Sequence, residues 1–187
     1  MVGLWAILHV GGISILLRNF VAKSYVDTVG EIDLEHFYAQ GFRGIVTDLD
    51  NTLVSQKTPD ATDACKAFIA RARGLGFHIV VLSNNGPRRV GHFADPLGLP
   101  YICRARKPRP GAFRAALAKL GVEASQALML GDQTMTDILG GNRAGLHTVL
   151  VRPVARNEEG LPTKINRFME RIVIRLLAIS GYKHPWL

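Results

Sequence analysis

Short apolar runs alternate with helix-like stretches from Gly44 to Val151, and this alternation restricts the fold more than any other feature of the chain. The runs are short, partly β-branched and apolar on both faces, which is typical of parallel strands that are covered on both sides. Strands separated by helices of about ten residues require crossover connections. The pattern therefore predicts an α/β fold, a three-layer sandwich around a mostly parallel sheet. The five predicted strands are residues 44–48, 77–82, 101–104, 127–130 and 147–151.

Two of the intervening helices have clear boundary signals. The first covers residues 62–73, where apolar residues recur at helical spacing ahead of two glycines, Gly74 and Gly76. The second begins at Pro110 and ends at Gly121, because proline favours the first turn of a helix and glycine the position after its end. The apolar stripe of the first helix is expected to consist of Ala64, Phe68, Ala72 and Leu75.

Length and composition favour one globular unit with short extensions. The 187 residues, 48% of them hydrophobic, are enough for a self-sufficient core. The two cysteines, Cys65 and Cys103, are too few for a disulfide framework or a four-ligand zinc site, so a reduced cytosol is the simpler assumption. We expect three parts: an apolar N-terminal extension (1–17), a central α/β domain (18–156) and a C-terminal helix with its tail (157–187).

The N-terminal extension contains no Lys, Arg, Asp or Glu. Its seventeen residues are at the lower limit for crossing a bilayer, and it lacks the positive start and the cleavage site of a signal peptide. A contact with a membrane surface or a partner, and a buried or artefactual start, are alternatives that the sequence leaves open.

The formal net charge of +8 favours an anionic partner. The charge is unevenly distributed, since residues 88–119 hold eight Lys and Arg residues against one acid, Asp95. This basic segment surrounds Lys107, so we expect Arg104, Arg106 and Arg109 near the mouth of any site that Lys107 serves.

Polar residues follow four of the predicted strands. They are DLDNT (48–52), SNNG (83–86), Lys107, and GDQ (131–133) with Asp137. Taken singly, each has an ordinary explanation: a turn, a loop, a solvated lysine, or a helix cap for the acids near Gln133. Ligands of an open parallel sheet bind beyond the carboxyl ends of its strands, however, and all four groups fall at that edge. Together they predict a catalytic site.

The residue types indicate phosphoryl transfer. The carboxylates of Asp48, Asp50 and Asp132 are hard oxygen ligands suited to Mg²⁺, and they would repel each other without a cation. A carboxylate can also act as a nucleophile and form an aspartyl-phosphate. Lys107 would neutralise phosphate oxygens, and the Ser83 hydroxyl would donate to them.

These residues resemble the haloacid dehalogenase superfamily, whose first motif is DxDxT. The strings DLDNTLV, LSNN, ARKPRPGAF, GDQTMTDILGGNRAG and HTVLVRPV are similar to those of the bacterial YqeG family of subclass IIIA phosphatases, over roughly residues 16–187. The resemblance implies a Rossmann-like haloacid dehalogenase fold and an active enzyme.

The resemblance also implies roles. Asp48 would be the nucleophile and Asp50 the general acid and base. Mg²⁺ would be bound by the Asp48 carboxylate, the Asp50 backbone carbonyl and Asp132, and Asp137 would lie outside this set or orient Lys107.

The phosphate group would be held by Ser83, Asn84 and Lys107. Thr52 and Gln133 would support the site without contacting the substrate. Each interval between the motifs is filled by one helix and a strand or two, so no cap domain fits and the site is expected to be open. An open site admits large or membrane-embedded substrates.

The predicted C-terminal helix is basic and amphipathic. Such a helix can lie on an anionic membrane, or it can pack on the sheet with its basic side solvated. Its basic stripe is Lys164, Arg167, Arg171 and Arg175. Its opposite apolar face is Ile165, Phe168, Met169, Ile172, Val173, Leu176 and Leu177.

YqeG-like proteins are similar to mitochondrial and plastid phosphatidylglycerophosphate phosphatases, which makes phosphatidylglycerophosphate the leading substrate. An anionic lipid head group as partner, and a cytoplasmic protein that contacts the inner face of the membrane, are then expected. A phosphatase for a soluble phosphoester or phosphoprotein is the main alternative. A nucleic-acid-end phosphatase is disfavoured because no RNA-binding motif is present, and a non-catalytic phosphate-sensing module because the motif set is complete.

Overall fold

The computed structural model describes residues 9–10, 13–14, 17–155 and 161–179. Its centre is a six-stranded sheet in which every neighbouring pair is parallel, in the order β3-β8-β7-β4-β5-β6. The strands of this sheet are β3 (Ser24–Val26), β4 (Gly44–Thr47), β5 (His78–Leu82), β6 (Tyr101–Ile102), β7 (Ala127–Gly131) and β8 (His147–Val151). A separate antiparallel pair is formed by β1 (His9–Val10) and β2 (Ile13–Ser14).

Helices cover both faces of the sheet. They are α1 (Leu34–Ala39), α2 (Asp63–Gly74), α3 (Pro87–Ala94), α4 (Pro110–Leu120), α5 (Leu139–Arg143) and α6 (Leu161–Ile179). A π-helical turn, Thr134–Ile138, precedes α5. Helix α2 is capped by the Thr62 side chain, and α4 begins at Pro110 and ends before Gly121, which has a left-handed conformation.

The strand register brings three motif segments level with one another. Thr47, the last residue of β4, pairs with Val81 of β5 on one side and with Leu130 of β7 on the other. Asp48 therefore leaves the sheet beside the ends of both neighbouring strands. The predicted α/β sandwich with its parallel sheet is confirmed. The strand register also places the motif segments together at the edge formed by the carboxyl ends of the strands.

The core lies in two layers because successive strand residues point to opposite faces. Ile45 packs with Cys65, Phe68 and other residues of α2 and α3. The next residue, Val46, packs on the other face with Phe113 and the rest of α4.

Some predicted boundaries were wrong in detail. The strand expected at 101–104 ends at Ile102, because the backbone of Arg104 turns into the left-handed region at φ 48°. Ala64 of the predicted α2 stripe is exposed, whereas Cys65 and Ile69 face the core. The helix is rotated relative to the prediction because these larger side chains bury more apolar surface than alanine does.

The alternative in which the C-terminal helix packs with its basic side solvated is wrong about Arg167, and only part of the predicted apolar face turns inward. Arg167, which was assigned to a solvated basic stripe, is buried, and so are Glu170, Val173 and Leu177. The helix docks through this seam because the loop after β7 supplies partners for its charged groups. The side chain of Lys164 lies outside the described residues. Most of the predicted apolar face is exposed: Ile165, Phe168, Met169, Ile172 and Leu176.

Among the described helices, none is both long enough and apolar enough to cross a membrane. Most of the predicted N-terminal extension lies outside the described residues, as do residues 156–160 and 180–187. The proposed division of the chain at 17 and 156 therefore stays a prediction.

Candidate active site

Asp48 lies at the centre of the sheet edge, directly after β4. Its backbone N–H donates to the carbonyl of Leu130 at 2.8 Å, so the strand pairing fixes its main chain. Its side chain is buried next to the Lys107 ammonium group, at 2.6 Å from Nζ to Oδ1. A buried carboxylate on a fixed backbone, facing a cavity, is suited to nucleophilic attack.

Lys107 joins two carboxylates. Its Nζ atom lies 2.6 Å from Asp48 Oδ1 and 2.7 Å from Asp137 Oδ1, and only 7% of the residue is exposed. Burial lowers the pKa of Lys107, but attraction by Asp137 and Asp48 outweighs it and raises the pKa above its ordinary value. Its backbone N–H donates to Asn84 Oδ1 at 2.8 Å, which ties it to the loop after β5.

Asp137 reaches Lys107 from the π-helical turn. Its Oδ2 atom accepts a hydrogen bond from the Gln133 backbone N–H at 3.1 Å. Gly131 makes this approach possible, because a Cβ atom on that residue would lie 2.3 Å from the Cβ of Asp137. The glycine of the GDQ string is therefore required by the packing of the site.

Asp132 lies behind the cavity with both carboxylate oxygens in contact with protein donors. The Thr52 hydroxyl donates to Oδ1 at 3.3 Å, and the Arg167 guanidinium pairs with Oδ2. Asp132 is buried, and burial raises its pKa well above the ordinary value despite the attraction of Arg167.

The three buried carboxylates of Asp48, Asp132 and Asp137 form a candidate metal centre. Each offers an oxygen within 4.8 Å of the others. Burial raises the pKa of Asp48 to about 7; Lys107 lowers it, whereas Asp137 and Asp50 raise it. Two buried cations, Lys107 and Arg167, face these three carboxylates, so the cluster is short of positive charge. Its all-oxygen composition fits a hard divalent cation.

The side chain of Asp50 lies apart from this cluster. Its Oδ1 atom is 2.9 Å from Arg89 Nη2, and its Oδ2 atom accepts from Asn85 Nδ2 at 2.6 Å. Arg89 also donates to the carbonyls of Thr58 and Pro59, at 3.0 and 2.9 Å, so the guanidinium is held on several sides. Asp50 is thus oriented at the cavity wall by side chains from α3 and the loop before it.

A polar cavity of about 260 Å³ brings most of the predicted residues together. The predicted residues that line it are Asp48, Asp50, Ser83, Asn84, Lys107 and Gln133. Asn51 and Asn85, which the sequence analysis placed in the DLDNT and SNNG strings without a role, line it too, and so do Gln56, Thr136 and Asn166, which it missed as site residues. Thr52, Asp132 and Asp137 are not among its lining residues and lie behind them. Arg89 and Arg167 were also missed as site residues. The signals for Arg89 were its position just after the SNNG string and its place in the basic segment 88–119.

A basic groove of about 700 Å³ lies beside the cavity. Arg88 and Arg104, both exposed, line it together with Arg89, whose guanidinium reaches Asp50. The Arg104 N–H donates to the Asn85 carbonyl at 2.8 Å, so the groove and the cavity share a wall. Arg106 and Arg109, which were also expected near the mouth, line neither space.

The raised pKa of Asp48 predicts how the stability of the metal-free protein depends on pH. Between pH 3.8 and about 7, Asp48 is protonated in the folded state and ionised in the unfolded state. Its contribution to the free energy of unfolding therefore decreases as pH rises through this window and is constant above it. Urea denaturation in EDTA from pH 4 to pH 8 measures this slope.

Asp48→Asn is the control, because it removes the titrating group. As pH rises from 4 to 7, the unfolding free energy of the wild type should decrease relative to that of the Asp48→Asn variant. A divalent cation binds the ionised carboxylates, so it should raise the unfolding midpoint more at pH 8 than at pH 5. A pH-independent difference between the two proteins would contradict the assignment.

Comparisons with known proteins show the family to which the chain belongs. Residues 104–166 match a HAD-hydrolase-like family model. The chain is 38% identical to the probable phosphatase YqeG of Bacillus subtilis over 167 residues, which are 89% of this chain and 96% of that protein. It is 30% identical to the chloroplastic phosphatidylglycerophosphate phosphatase 1 of Chlamydomonas reinhardtii, with 98% of this chain and 70% of that protein covered.

Solved structures show the same fold at low sequence identity. The cobalt-bound deoxy-D-mannose-octulosonate 8-phosphate phosphatase of Haemophilus influenzae matches with a TM-score of 0.51 and 14% identity, over 75% of this chain and 92% of that one. An uncharacterised protein from Listeria monocytogenes also matches with a TM-score of 0.51, at 18% identity, over 72% of this chain and 98% of that one.

Proposed function

The chain belongs to the YqeG family of haloacid dehalogenase-type phosphatases, and from that premise we propose that it is a Mg²⁺-dependent phosphatase of phosphatidylglycerophosphate that works through an aspartyl-phosphate. The observation that carries the chemistry is the buried Asp48 carboxylate, held on the strand end and paired with Lys107 in a polar cavity. It is supported by the resemblance of DLDNT to the superfamily's first motif.

In the proposed reaction, a carboxylate oxygen of Asp48 attacks the phosphorus atom, and the bond from phosphorus to the ester oxygen breaks. Asp50 gives its proton to the leaving alkoxide. Asp50 then takes a proton from water as the water oxygen attacks phosphorus, which breaks the bond to Asp48 and releases inorganic phosphate. Arg89 and Asn85 hold the Asp50 carboxyl group in the cavity wall during both steps.

Charge on the transferred phosphoryl group is balanced by donors that are already in place. Lys107 presents its ammonium group beside Asp48, and Ser83 and Asn84 line the same cavity. Such preorganised donors are most effective where water is excluded. Asp48 and Asp132 of the carboxylate cluster, together with the Asp50 backbone carbonyl, would hold Mg²⁺, and Asp137 would stay paired with Lys107. The bound ion would add positive charge next to the phosphate oxygens.

The lipid substrate is supported by the name of the algal relative and by the surface around the site. Within residues 17–155, no cap is inserted between the motifs, so the cavity is open to a membrane surface. On α6, Phe168 and Ile165 are 62% and 57% exposed, and Arg171 and Arg175 are exposed beside them. An apolar face flanked by arginines suits an anionic bilayer, and each basic residue near the surface contributes roughly 1 kcal/mol.

This docking would place the protein at the cytoplasmic face of the membrane. The basic groove lined by Arg88 and Arg104 adds positive charge beside the cavity, which suits the anionic head group of the proposed substrate. A phosphatase for a soluble phosphoester is the second candidate, and the observation that favours it is the amide-rich cavity wall, since amides suit the hydroxyl groups of a small polyol phosphate.

The test is phosphate release with Mg²⁺ from phosphatidylglycerophosphate in anionic vesicles, compared with a panel of soluble phosphoesters. We expect a kcat/KM at least about tenfold higher for the lipid, which corresponds to about 1.4 kcal/mol. The rate on vesicles should fall as salt is added, because surface charges are screened. Equal turnover of soluble esters would keep the chemistry and reject the lipid assignment.

The double variant Phe168→Ser, Ile172→Ser tests the docking surface separately. Both side chains are exposed, so the unfolding midpoint should change little while co-sedimentation with the vesicles falls. The matched control is Ala178→Ser, another exposed position on α6. Unchanged co-sedimentation of the double variant would reject this face as the docking surface.

A further inference from the structure

Helix α6 contacts the candidate metal centre through a forked pair of bonds from Arg167. Its Nη1 atom donates to the backbone carbonyl of Asp132 at 2.6 Å, and its Nη2 atom pairs with Oδ2 of the same residue. Arg167 therefore bonds to both the main chain and the side chain of Asp132. The other carboxylate oxygen, Oδ1, contacts the hydroxyl of Thr52.

Arg167 is itself held by its own helix. Glu170, one turn later, accepts from Arg167 Nη1 at 3.1 Å through Oε2. The Oε1 atom of Glu170 accepts from the Thr134 backbone N–H at 3.3 Å and from the Thr134 hydroxyl. Asn166 adds a further bond, from Nδ2 to Gln133 Oε1 at 2.9 Å.

These contacts are buried and continue into apolar packing. Arg167 and Glu170 are each 7% exposed, and Val173 and Leu177 on the same side of the helix are buried as well. Buried charges without partners are costly, so Arg167 and Glu170 favour the docked position of α6, where both are paired. If α6 undocked, Arg167 would move away from Asp132 and this ion pair would be lost. The two bonds from Arg167 to Asp132 thus depend on the position of the C-terminal helix.

We propose that Arg167 is a positioning residue for the Asp132 carboxylate, and that docking of α6 thereby sets the affinity of the active site for its divalent cation. Groups that orient metal-binding side chains typically change metal affinity by about 10- to 100-fold when they are removed. The inference rests on the proposed metal site and adds to it a role for the C-terminal helix.

Whether removal of Arg167 weakens or tightens cation binding distinguishes a positioning role from a purely electrostatic one. If Arg167 acted only as a nearby positive charge, its removal would relieve repulsion and tighten cation binding. If it positions Asp132, removal weakens cation binding although a repulsive charge is lost. Arg167→Lys keeps the charge but cannot form both forked bonds, so it should weaken binding as well.

The experiment measures Mn²⁺ affinity by electron paramagnetic resonance on the full chain, without substrate. We expect Arg167→Gln to weaken binding at least about tenfold, Arg167→Lys to weaken it less, and Arg171→Gln to leave it unchanged. Arg171 is the matched control because it is an exposed arginine on the same helix. Unchanged or tighter binding by Arg167→Gln overturns the proposal, and absence of Mn²⁺ binding by the wild type overturns the metal site itself.

Two further measurements test the link to docking. Leu177→Ala should loosen α6 without touching the charged pair, and it should also weaken Mn²⁺ binding. By reciprocity, Mn²⁺ should slow amide hydrogen exchange in α6 of the wild type, and less so in Arg167→Gln. If Leu177→Ala lowers the unfolding midpoint but binds Mn²⁺ normally, the dependence on helix docking is wrong.

Discussion

Asp48→Asn is expected to lower kcat at least about a thousandfold, because an amide cannot form the acyl phosphate of the proposed reaction. The substitution hardly changes the size of the side chain, and the amide oxygen can still accept from Lys107. Burial already disfavours the ionised form of Asp48, whose pKa is raised to about 7. The metal-free variant should therefore unfold at a denaturant concentration no lower than the wild type at pH 8. Phosphate release and urea denaturation measured on the same preparation check both expectations.

Asp63→Asn is the matched control, since Asp63 is a fully exposed carboxylate and should tolerate the same chemical change. Mass spectrometry must exclude deamidation back to aspartate. Turnover by Asp48→Asn within about tenfold of the wild type would reject Asp48 as the nucleophile. A large loss of stability would instead mean that the residue is needed for folding.

The sequence was sufficient to predict five of the six strands of the parallel sheet and the residues at its edge. Parallel strands that are buried on both faces have few alternatives to a helix-covered sheet, and their carboxyl ends necessarily meet at one edge. This is why Asp48, Ser83 and Asp132 could be placed from the sequence at the carboxyl ends of three strands of one sheet. The roles carried over from the family for these residues stay predictions.

The edge strand β3 was missed because its three residues give no periodic signal. Ser24–Val26 forms a strand through its pairing with β8, where Tyr25 lies opposite Leu150. Only the tertiary partner makes this segment extended. Propensity over three residues cannot predict such a strand.

The orientation of α6 was missed for a different reason. Hydrophobic periodicity assumes that the apolar face turns inward, and this helix turns a mixed face inward instead. Arg167 and Glu170 can be buried because Asp132 and Thr134 supply partners from a distant part of the chain. No local pattern reveals such long-range pairing. The exposed apolar face that results is the surface on which the proposed membrane docking depends.

Lys107→Met is expected to lower kcat about a hundredfold or more and also to destabilise the metal-free protein. Methionine has a similar length but no charge, so Asp48 and Asp137 would lose the cation that lies 2.6 and 2.7 Å from them. Breaking a buried ion pair by removing one partner costs roughly 3 kcal/mol. The loss of unfolding free energy should be smaller at pH 5 than at pH 8. At pH 5 Asp48, with its raised pKa, is protonated and no longer repels the Asp137 carboxylate.

Urea denaturation of wild type and variant at the two pH values, in EDTA and with Mg²⁺, measures this dependence. Lys119→Met is the matched control, since Lys119 is an exposed residue on α4 that undergoes the same change of charge. Mg²⁺ should restore part of the stability of Lys107→Met, because a divalent cation among the same carboxylates replaces the missing charge. It should not restore turnover, since the ammonium group that faces the phosphate is absent. An equal loss of stability at both pH values would show that Lys107 acts through packing and not through charge.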